Sequence, residues 1–322
     1  MNSRALASLS RYGVVAALAA LIGFGAWRYD NFLGTFNILS FAAYNSMFAL
    51  VSLGMALVIM TGGIDLSVGA VAALASVAAA SASPYGVLAG LGAGMGAGLV
   101  MGLANGACIV GLGIAPFIAT LAAMLAARGA ALLFAANQAV SVSYESGFTE
   151  IGQGDVHGFP IPALVAVTAY AAGWVLLNRT GFGRTLLAIG GNEEATRLMG
   201  LPTDRTKLIV YALSGTLAGA AGVVLAAQFG AGQPVEGAGW ELFAIAAVVV
   251  GGTRLNGGDG SITTTLAGVL LLGLIFNILN FENGLGWISL SAYWQSVIRG
   301  FFLLAVVVLQ ARIMNDAAPR KA

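Results

Sequence analysis

Long apolar runs alternate with short polar and charged stretches along almost the whole chain. Because a helix needs about 20 mostly apolar residues to cross a bilayer, the pattern predicts ten membrane spans, although eight or nine would also fit. We expect them at Tyr12–Trp27, Phe41–Met60, Val68–Ser83, Tyr85–Ile109, Phe117–Ala136, Ile161–Leu177, Leu208–Phe229, Leu242–Gly251, Leu266–Asn280 and Ala292–Leu309. The third and eighth are short and lie beside glycine-rich stretches, so they are candidates for broken or re-entrant segments. The predicted fold is all-α: a polytopic transmembrane helical bundle that forms one domain over residues 1–322.

The composition indicates a membrane protein and argues against several other classes of protein. Hydrophobic residues make up 59% of the chain and charged residues only 8%, against about 25% charged residues in a typical soluble domain. Cys108 is the only cysteine and His157 the only histidine, which excludes an internal disulfide and a Cys/His metal cluster. The net charge of +1 gives no reason to expect a nucleic-acid partner.

The chain lacks the motif of the P-loop enzymes. No G-x-x-x-x-G-K-[ST] sequence occurs, and neither Lys207 nor Lys321 follows a suitable glycine. His157 lies in a polar loop with no obvious nucleophile beside it. We therefore predict that this chain is not an enzyme and that it binds no cofactor or metal of its own.

The distribution of lysine and arginine predicts which side of the membrane each loop faces. With ten spans and a cytoplasmic N-terminus, eleven of the 14 basic residues fall on the cytoplasmic side, namely Arg4, Arg11, Arg179, Arg184, Arg197, Arg205, Lys207, Arg254, Arg312, Arg320 and Lys321. Arg28 falls on the opposite side, whereas Arg128 and Arg299 lie within spans. The loop Asn137–Pro160 has acidic residues and no basic one, so we expect it outside. Both termini are predicted to be cytoplasmic.

The fourth apolar run has a glycine at every fourth position from Gly86 to Gly106. Residues four apart share one face of a helix, and a face without side chains lets a neighbouring backbone approach closely. We expect this face to pack inside the subunit; the alternative is an interface between subunits.

Gly62, Gly63, Asp65 and Ser67 belong to a polar stretch, GGIDLS, between the second and third spans. The glycines allow the backbone to break and turn. Asp65 or Ser67 would cap the following helix, which makes the carboxylate a structural group. The alternative is a proton or substrate site in a transport pathway, since ionisable groups inside membranes are costly and usually functional.

Two segments share a loose pattern of an apolar run, a Gly-Gly pair and a short polar stretch with an aspartate. They are Leu57–Ala70 and Ala247–Ile262. Internal duplication is common in transporters, so the pattern suggests a weak internal repeat.

Residues 178–207 form the most polar stretch of the chain and lie on the predicted cytoplasmic side. A Gly-Gly-Asn sequence is typical of a turn followed by a helix start. Two acids fall in the first helical turn, and a glycine with a proline beyond it ends the helix. The pattern predicts a short exposed helix at about Glu193–Met199. A plain connector needs fewer residues, so this stretch suggests a handle for a partner, comprising Gly190, Gly191, Asn192, Glu193, Glu194, Arg197, Leu198, Met199 and Gly200.

Four stretches together resemble the ribose/galactoside-type permeases of bacterial ABC sugar importers. They are GGIDLSVGA at 62–70, PFIATLAAMLAARG at 116–129, GFGRTLLAIGGNEEATRLMGL at 181–201 and GAGWELFAIAAVVVGGTRLNGGDGS at 237–261. The resemblance implies a multi-pass subunit of the bacterial inner membrane that translocates a simple sugar received from a periplasmic binding protein. It implies that a separate cytoplasmic ABC ATPase, which carries ATP and Mg, docks on a coupling segment at 178–207. It also implies a second permease chain, identical or homologous.

A sugar presents hydroxyl groups and apolar ring faces, so its path should combine amides with aromatic side chains. Residues of these types that interrupt or border apolar spans are Tyr44, Asn45, Gln228, Asn277 and Trp294. For each of them, an ordinary interhelical hydrogen bond or an interfacial position is an equally good interpretation.

Two other functions fit the same residues. One is a branched-chain amino-acid permease of an ABC importer. The other is a proton-coupled secondary transporter that uses Asp65, although such a transporter usually needs more intramembrane ionisable groups and no ordered cytoplasmic handle. The individual sugar does not follow from the sequence.

Overall fold

The computed structural model describes residues 3–284 and the isolated positions 294, 297, 298, 300 and 301. Within that part of the chain there are twelve α-helices: α1 (Ser3–Arg28), α2 (Thr35–Met60), α3 (Val68–Ala82), α4 (Val87–Gly111), α5 (Pro116–Phe134), α6 (Glu150–Gln153), α7 (Ile161–Arg179), α8 (Gly181–Gly191), α9 (Glu193–Leu198), α10 (Thr203–Phe229), α11 (Trp240–Val250) and α12 (Ile262–Gly284). Four two-residue strands form two antiparallel pairs, β1 (Val140–Ser141) with β4 (Ala231–Gly232) and β2 (Asp155–Val156) with β3 (Phe159–Pro160).

Seven helices are long and apolar enough to cross a membrane: α2, α3 with the short turn that follows it, α4, α5, α7, α10 and α12. Shorter apolar helices are formed by α11 and by residues 13–28 of α1. The predicted polytopic helical bundle is therefore confirmed. Nine of the ten predicted spans coincide with described helices, and the tenth, Ala292–Leu309, lies largely outside the described residues.

The helices define two ends of the bundle. The α9 end contains α8, α9 and the turns after α2 and α11, where Gly258 N donates a hydrogen bond to Met60 O at 3.0 Å. The β1 end contains residues 137–160 and the β1–β4 pair, and there Ser143 N donates to Ser83 Oγ at 2.8 Å. Helix α10 is central and packs against α2, α3 and α4.

Helices α4 and α10 cross in close backbone contact. The buried face of α4 carries Gly90, Gly94, Gly98, Gly102 and Gly106. Gly98 lies against Gly215 and Gly219 of α10, and a methyl group added at Gly98 would overlap the carbonyl oxygen of Gly215. The glycine stripe therefore packs inside the subunit, as we expected.

Two spans contain non-helical chain that lies inside the bundle. Residues 61–67 follow α2 and lead back into the bundle. The start of α3 therefore lies beside α4 and α10, where Asn105 bonds to Ser67 and Ser214 bonds to Asp65. Residues 230–239 run along α3, where Gly232 contacts Val77 and Gly237 contacts Gly69. Helix α11, with only 11 residues, completes that span. These interrupted spans correspond to the third and eighth predicted segments.

Helix α5 supplies polar groups to both non-helical segments. Thr120 Oγ1 accepts a hydrogen bond from Leu66 N at 3.1 Å. Its own hydroxyl proton has Pro116 O at 2.8 Å and Ile64 O at 3.3 Å as acceptors. Arg128 Nη1 donates to the carbonyl oxygens of Pro234 and Glu236, both at 2.7 Å. Since unpaired backbone groups are costly at membrane depth, these bonds let the two segments remain inside the bundle.

Helices α2 and α11 end with the same backbone geometry. Gly62 and Gly252 occupy the left-handed region, with φ values of 82° and 85°. In both cases the next N–H bonds to the carbonyl five residues earlier, at 3.2 Å. This arrangement is a Schellman-type helix end. Helices α5 and α9 end in the same way, with Asn137 N bonded to Leu132 O at 2.8 Å and Leu201 N to Thr196 O at 3.3 Å. The shared ending is therefore a general helix stop, and the internal repeat stays a prediction.

The α4–α10 crossing leads to a prediction about two neighbouring glycines of α4. Gly98→Ala should lower the free energy of unfolding by about 1–3 kcal/mol, because the added methyl group is overpacked against α10. Gly96→Ala is the matched control, since a methyl group there meets no atom within 4 Å. Thermal unfolding of the purified chain in detergent would measure both. Equal melting temperatures would contradict the importance of this crossing.

Candidate functional site

A cavity of about 240 Å³ lies between α2, α11 and α12, in the half of the bundle nearer the β1 end. Its lining consists of Asn37, Ser40, Phe41, Tyr44, Asn45 and Phe48 from α2, Phe243 from α11, and Gly273, Phe276, Asn277 and Asn280 from α12. Spacings of three and four residues place each set on one helical face. The walls combine amides with aromatic rings, which suits a small ligand that has both hydroxyl groups and apolar surface.

A reciprocal amide pair joins α2 to α12 at the cavity. Asn277 Nδ2 donates to Asn37 Oδ1 at 2.9 Å, and Asn37 Nδ2 faces Asn277 Oδ1 at 3.3 Å. Asn37 Nδ2 also donates to Phe32 O at 2.8 Å. Because an amide both donates and accepts, each of these side chains can also hydrogen-bond to a ligand hydroxyl.

Gly273 makes room for a buried amide in the opposite wall. Asn45 is only 6% exposed, and its Nδ2 donates to Phe41 O at 2.9 Å. A methyl group at Gly273 would overlap Asn45 Oδ1. The glycine therefore keeps the Asn45 carbonyl oxygen at the cavity surface.

Phe48, Trp240 and Phe243 form an aromatic floor at the deep end of the cavity. The Phe48 ring centroid lies 4.9 Å from that of Trp240 and 4.6 Å from that of Phe243. Beyond the floor, α2 is buried without interruption as far as Met60. The cavity is thus closed toward the α9 end by rings that belong to two different helices.

The structure brings together three of the five residues that we expected along a pathway. Tyr44, Asn45 and Asn277 line the cavity. Gln228 does not, because its Nε2 donates to Ala43 O at 2.9 Å and bridges α10 to α2. Trp294 is 59% exposed and is not among the lining residues. Gln228 thus forms an interhelical hydrogen bond through its Nε2, while its buried Oε1 has no hydrogen-bond partner among the described residues.

Sequence reasoning missed several lining residues, notably Asn37, Phe48, Phe243 and Gly273. A usable signal was present in α2, where amide and aromatic residues recur every three to four positions from residue 37 to residue 48. No comparable signal marks Phe243 or Gly273, because their neighbours in the sequence are also apolar. Their place in the cavity wall is visible only in the packed structure.

Asp65 lies in a buried hydrogen-bond network away from the cavity. Its Oδ2 accepts from Ser214 Oγ at 2.8 Å, and its Oδ1 accepts from Ser67 Oγ at 2.6 Å. Asn105 Nδ2 donates in turn to Ser67 Oγ at 2.9 Å. The carboxylate, only 1% exposed, thereby ties residues 61–67 to α4 and α10. The network favours the structural interpretation of Asp65.

The predicted cap at the start of α3 needs a correction. The Ser67 side chain makes no capping bond to α3; its oxygen accepts from Asn105 Nδ2 instead, and its hydroxyl donates to Asp65 Oδ1. Asp65 Oδ1 accepts a hydrogen bond from the backbone N–H of Ser67 at 3.0 Å, and Ser67 is the residue just before α3. Gly62 provides the left-handed turn, and a side chain at Gly63 would overlap the Tyr211 hydroxyl.

The polar stretch at 178–207 contains two helices rather than one. Gly190 and Gly191, which we predicted as a turn, form the last residues of α8. The bend comes at Asn192, whose Oδ1 accepts from Ala195 N at 2.9 Å and caps α9 as expected. Thr180 caps the missed helix by accepting from Gly183 N. Gly200, with φ of 76°, follows the end of α9.

Ion pairs fix α9 against α10. Glu193 meets Lys207 at 2.9 Å and Arg197 at 3.6 Å, and Arg197 meets Asp204 at 2.7 Å. The four-residue spacing within a helix predicts only the Glu193–Arg197 pair. The other two partners, Asp204 and Lys207, belong to α10. Leu198 and Met199 remain 83% and 67% exposed. The polar side of α9 is thus held by its neighbour, whereas its apolar tip projects outward.

The chain forms a helical bundle with interrupted spans and an ordered segment outside them. Together with the polar and aromatic cavity, these features are typical of a multi-pass membrane transport protein. The chain matches the family described as "Branched-chain amino acid transport system / permease component" over residues 37–307, and it belongs to that family.

Curated relatives cover almost the full length. The chain is 42% identical to the ribose import permease protein RbsC of Bacillus subtilis, over 88% of this chain and 87% of the relative. It is 39% identical to the L-arabinose transport system permease protein AraH of Escherichia coli, over 92% and 89%. It is 34% identical to the D-allose transport system permease protein AlsC of Escherichia coli, over 94% and 92%. No solved structure is significantly similar to the chain.

Family membership defines the chain as a transport subunit, not an enzyme. A permease component of this kind works with an ATPase and a substrate-binding protein of the same import system. Among the described residues, no group of three histidine, cysteine, aspartate or glutamate side chains could hold a metal ion.

The Asp65 network predicts a difference between two substitutions. Asp65→Asn should preserve folding, because an amide still accepts from Ser67 and can donate to the Ser214 hydroxyl. Asp65→Leu should reduce the amount of folded chain, since each buried polar group left unpaired costs about 1–3 kcal/mol. Size-exclusion recovery and melting temperature in detergent would compare them. Equal loss with asparagine and leucine would show that the negative charge itself is required.

Proposed function

We propose that the chain forms the membrane pathway of an ATP-driven importer for a simple sugar. The cavity between α2, α11 and α12 carries this proposal. Its amides match sugar hydroxyls, and its aromatic rings match apolar ring faces. The relatives are named for ribose, L-arabinose and D-allose, which supports a monosaccharide over a branched-chain amino acid. The described lining residues include no charged side chain to pair with an amino acid's ammonium and carboxylate groups.

We infer that the α9 end faces the cytoplasm and the β1 end faces the periplasm of a bacterial inner membrane, with both termini cytoplasmic. The excess of basic residues at the α9 end supports this orientation. The cavity then lies in the periplasmic half, where it would receive sugar from a periplasmic binding protein, and the aromatic floor closes it toward the cytoplasm.

The coupling segment at 178–207 is the proposed contact for the cytoplasmic ATPase, which carries ATP and Mg. Gly190 and Gly191 end α8, Asn192 provides the bend before α9, and Gly200 follows the end of α9. Leu198 and Met199 would be the apolar anchors, because interface energy usually concentrates in a few buried anchors rather than in rim charges. A second permease chain, identical or homologous, would complete the transporter.

A proton-coupled transporter that uses Asp65 is less consistent with the geometry. The carboxylate accepts hydrogen bonds from Ser67 and Ser214. Asp65 is not among the residues that line the cavity. We therefore assign Asp65 to the framework of the pathway rather than to the pathway itself.

Asn277→Leu should reduce sugar uptake by about tenfold, because it removes one amide from the cavity and leaves Asn37 Oδ1 without its donor, a loss of about 1–3 kcal/mol. Thr168→Leu is the control, since Thr168 is exposed and bonds within α7 to Leu164 O at 2.9 Å. Uptake of labelled ribose, arabinose and allose into cells that express the complete transporter would measure the effect. Inhibition of that uptake by excess leucine would favour the amino-acid alternative.

Replacement of both Leu198 and Met199 by serine should detach the ATPase, with a loss of about 2 kcal/mol or more as for other interface anchors. Glu193→Ala should matter less, because exposed ion pairs contribute only about 0–1 kcal/mol. Leu112→Ser is the matched control: Leu112 is 73% exposed and lies in the turn after α4, at the same end.

Co-purification of the ATPase with each variant would test this docking assignment. It also tests the orientation, since a cytosolic ATPase reaches α9 only from the cytoplasmic side. Full recovery of the ATPase with both anchors replaced would contradict the assignment.

A further inference from the structure

Three glycine-rich segments that are distant in sequence meet at the α9 end. Gly62 follows α2, Gly190 lies in the last turn of α8, and Gly257 and Gly258 follow α11. We name these four residues the glycine junction. Gly258 N donates to Met60 O at 3.0 Å, which joins the turn after α11 to the last residue of α2.

Gly190 fits between the two partners of that hydrogen bond. A methyl group added at Gly190 would overlap both Met60 O and Gly258 N. A methyl group at Gly257 would come within 2.9 Å of the Gly190 Cα atom and within 2.6 Å of Gly62 N. The backbones of α8, α2 and the turn after α11 are therefore in direct contact, with no side chain between them.

The junction links the coupling segment to both helices that carry the aromatic floor. Phe48 lies on α2, twelve residues before Met60, which is about 18 Å along a helix. Phe243 lies on α11, whose last residue is Val250. Since close-packed backbones have little room to slide without loss of contact, a shift of α8 should displace both helix ends together.

We propose that the glycine junction transmits movement of the ATPase-bound coupling segment to the aromatic floor, with Gly190 as its positioning residue. The inference rests on the proposed docking of the ATPase at α9 but concerns a separate step. Docking depends on the exposed tip of α9, whereas transmission depends on the buried contact of α8. Loss of the junction should therefore separate ATP hydrolysis from sugar movement without release of the ATPase.

Two glycines near the α9 end provide a matched test. Gly190→Ala disturbs the junction, whereas Gly111→Ala makes the same change in the last residue of α4, outside the coupling segment, where a methyl group meets no atom within 4 Å. The complete transporter, with its ATPase and binding protein, would be reconstituted in liposomes and supplied with labelled ribose, arabinose and allose. The measured quantity is the number of ATP molecules hydrolysed per sugar transported, together with the amount of ATPase that co-purifies.

We expect Gly190→Ala to retain its ATPase and its hydrolysis, and to raise the ratio of ATP to sugar by about tenfold or more, as overpacking of a tight contact would cause. Gly111→Ala should match the wild type. A normal ratio in Gly190→Ala would overturn the proposal. A proportional fall in hydrolysis and uptake, with loss of the ATPase, would also overturn it, because the junction would then only shape the docking surface.

Gly258→Ala approaches the junction from the other side, where a methyl group would come within 2.9 Å of Gly191 Cα and within 3.2 Å of the Gly190 carbonyl carbon. It should uncouple transport in the same way, although part of its effect comes from the left-handed backbone of Gly258, with φ of 78°. The double variant should be little worse than either single one, because both changes disrupt one contact. Failure of both single variants to accumulate in membranes would overturn the proposal, since the contact would then serve folding alone. If wild-type transporter binds no ATPase through α9, the proposed function fails independently of the junction.

Discussion

Backbone groups buried in a membrane protein have no water to bond with, and this constraint shapes the centre of the molecule. Residues 61–67 and 230–239 are not helical, so their N–H and C=O groups need partners from elsewhere. Thr120 and Arg128, eight residues apart on α5, bond to one segment each. Ser76 Oγ accepts from Gln233 N at 2.9 Å. With these bonds in place, α3 can start inside the bundle and α11 can stop short, and the cavity lies where α11 meets α2 and α12.

The sequence was most informative where one physical rule acts alone. Apolar run lengths predicted the spans, and the four-residue glycine period predicted the packed face of α4, because both depend only on helical geometry. Asn192 and Gly200 were correctly placed at the ends of α9 by local capping rules. Helix α8 was missed because its Gly-Gly ending, typical of a turn, is stabilised by tertiary contact with Met60 and Gly258.

The candidate site was only partly predictable, for a related reason. Tyr44, Asn45 and Asn277 stood out as polar or aromatic interruptions of apolar spans. Phe243 and Gly273 have no such contrast, and their contribution comes from distant helices that meet in three dimensions. Arg128 was noticed as a charge within a span, but its role as a donor to two carbonyl groups requires knowledge of the path of residues 230–239. Pattern alone therefore identified candidate residues but not their partners.

Arg128 and Ser76 also have a consequence for how the chain enters the membrane. Residues 230–250 contain ten non-helical positions and an 11-residue helix, which is too short to span lipid alone. Stable insertion of this segment therefore requires α3 and α5, which supply hydrogen-bond partners for its backbone. Helix α5 ends about a hundred residues before the segment, and α3 ends about 150 residues before it. The order of synthesis thus provides these hydrogen-bond partners before the segment that needs them. The eighth span is stabilised in the membrane by contacts with other helices rather than by its own hydrophobic length.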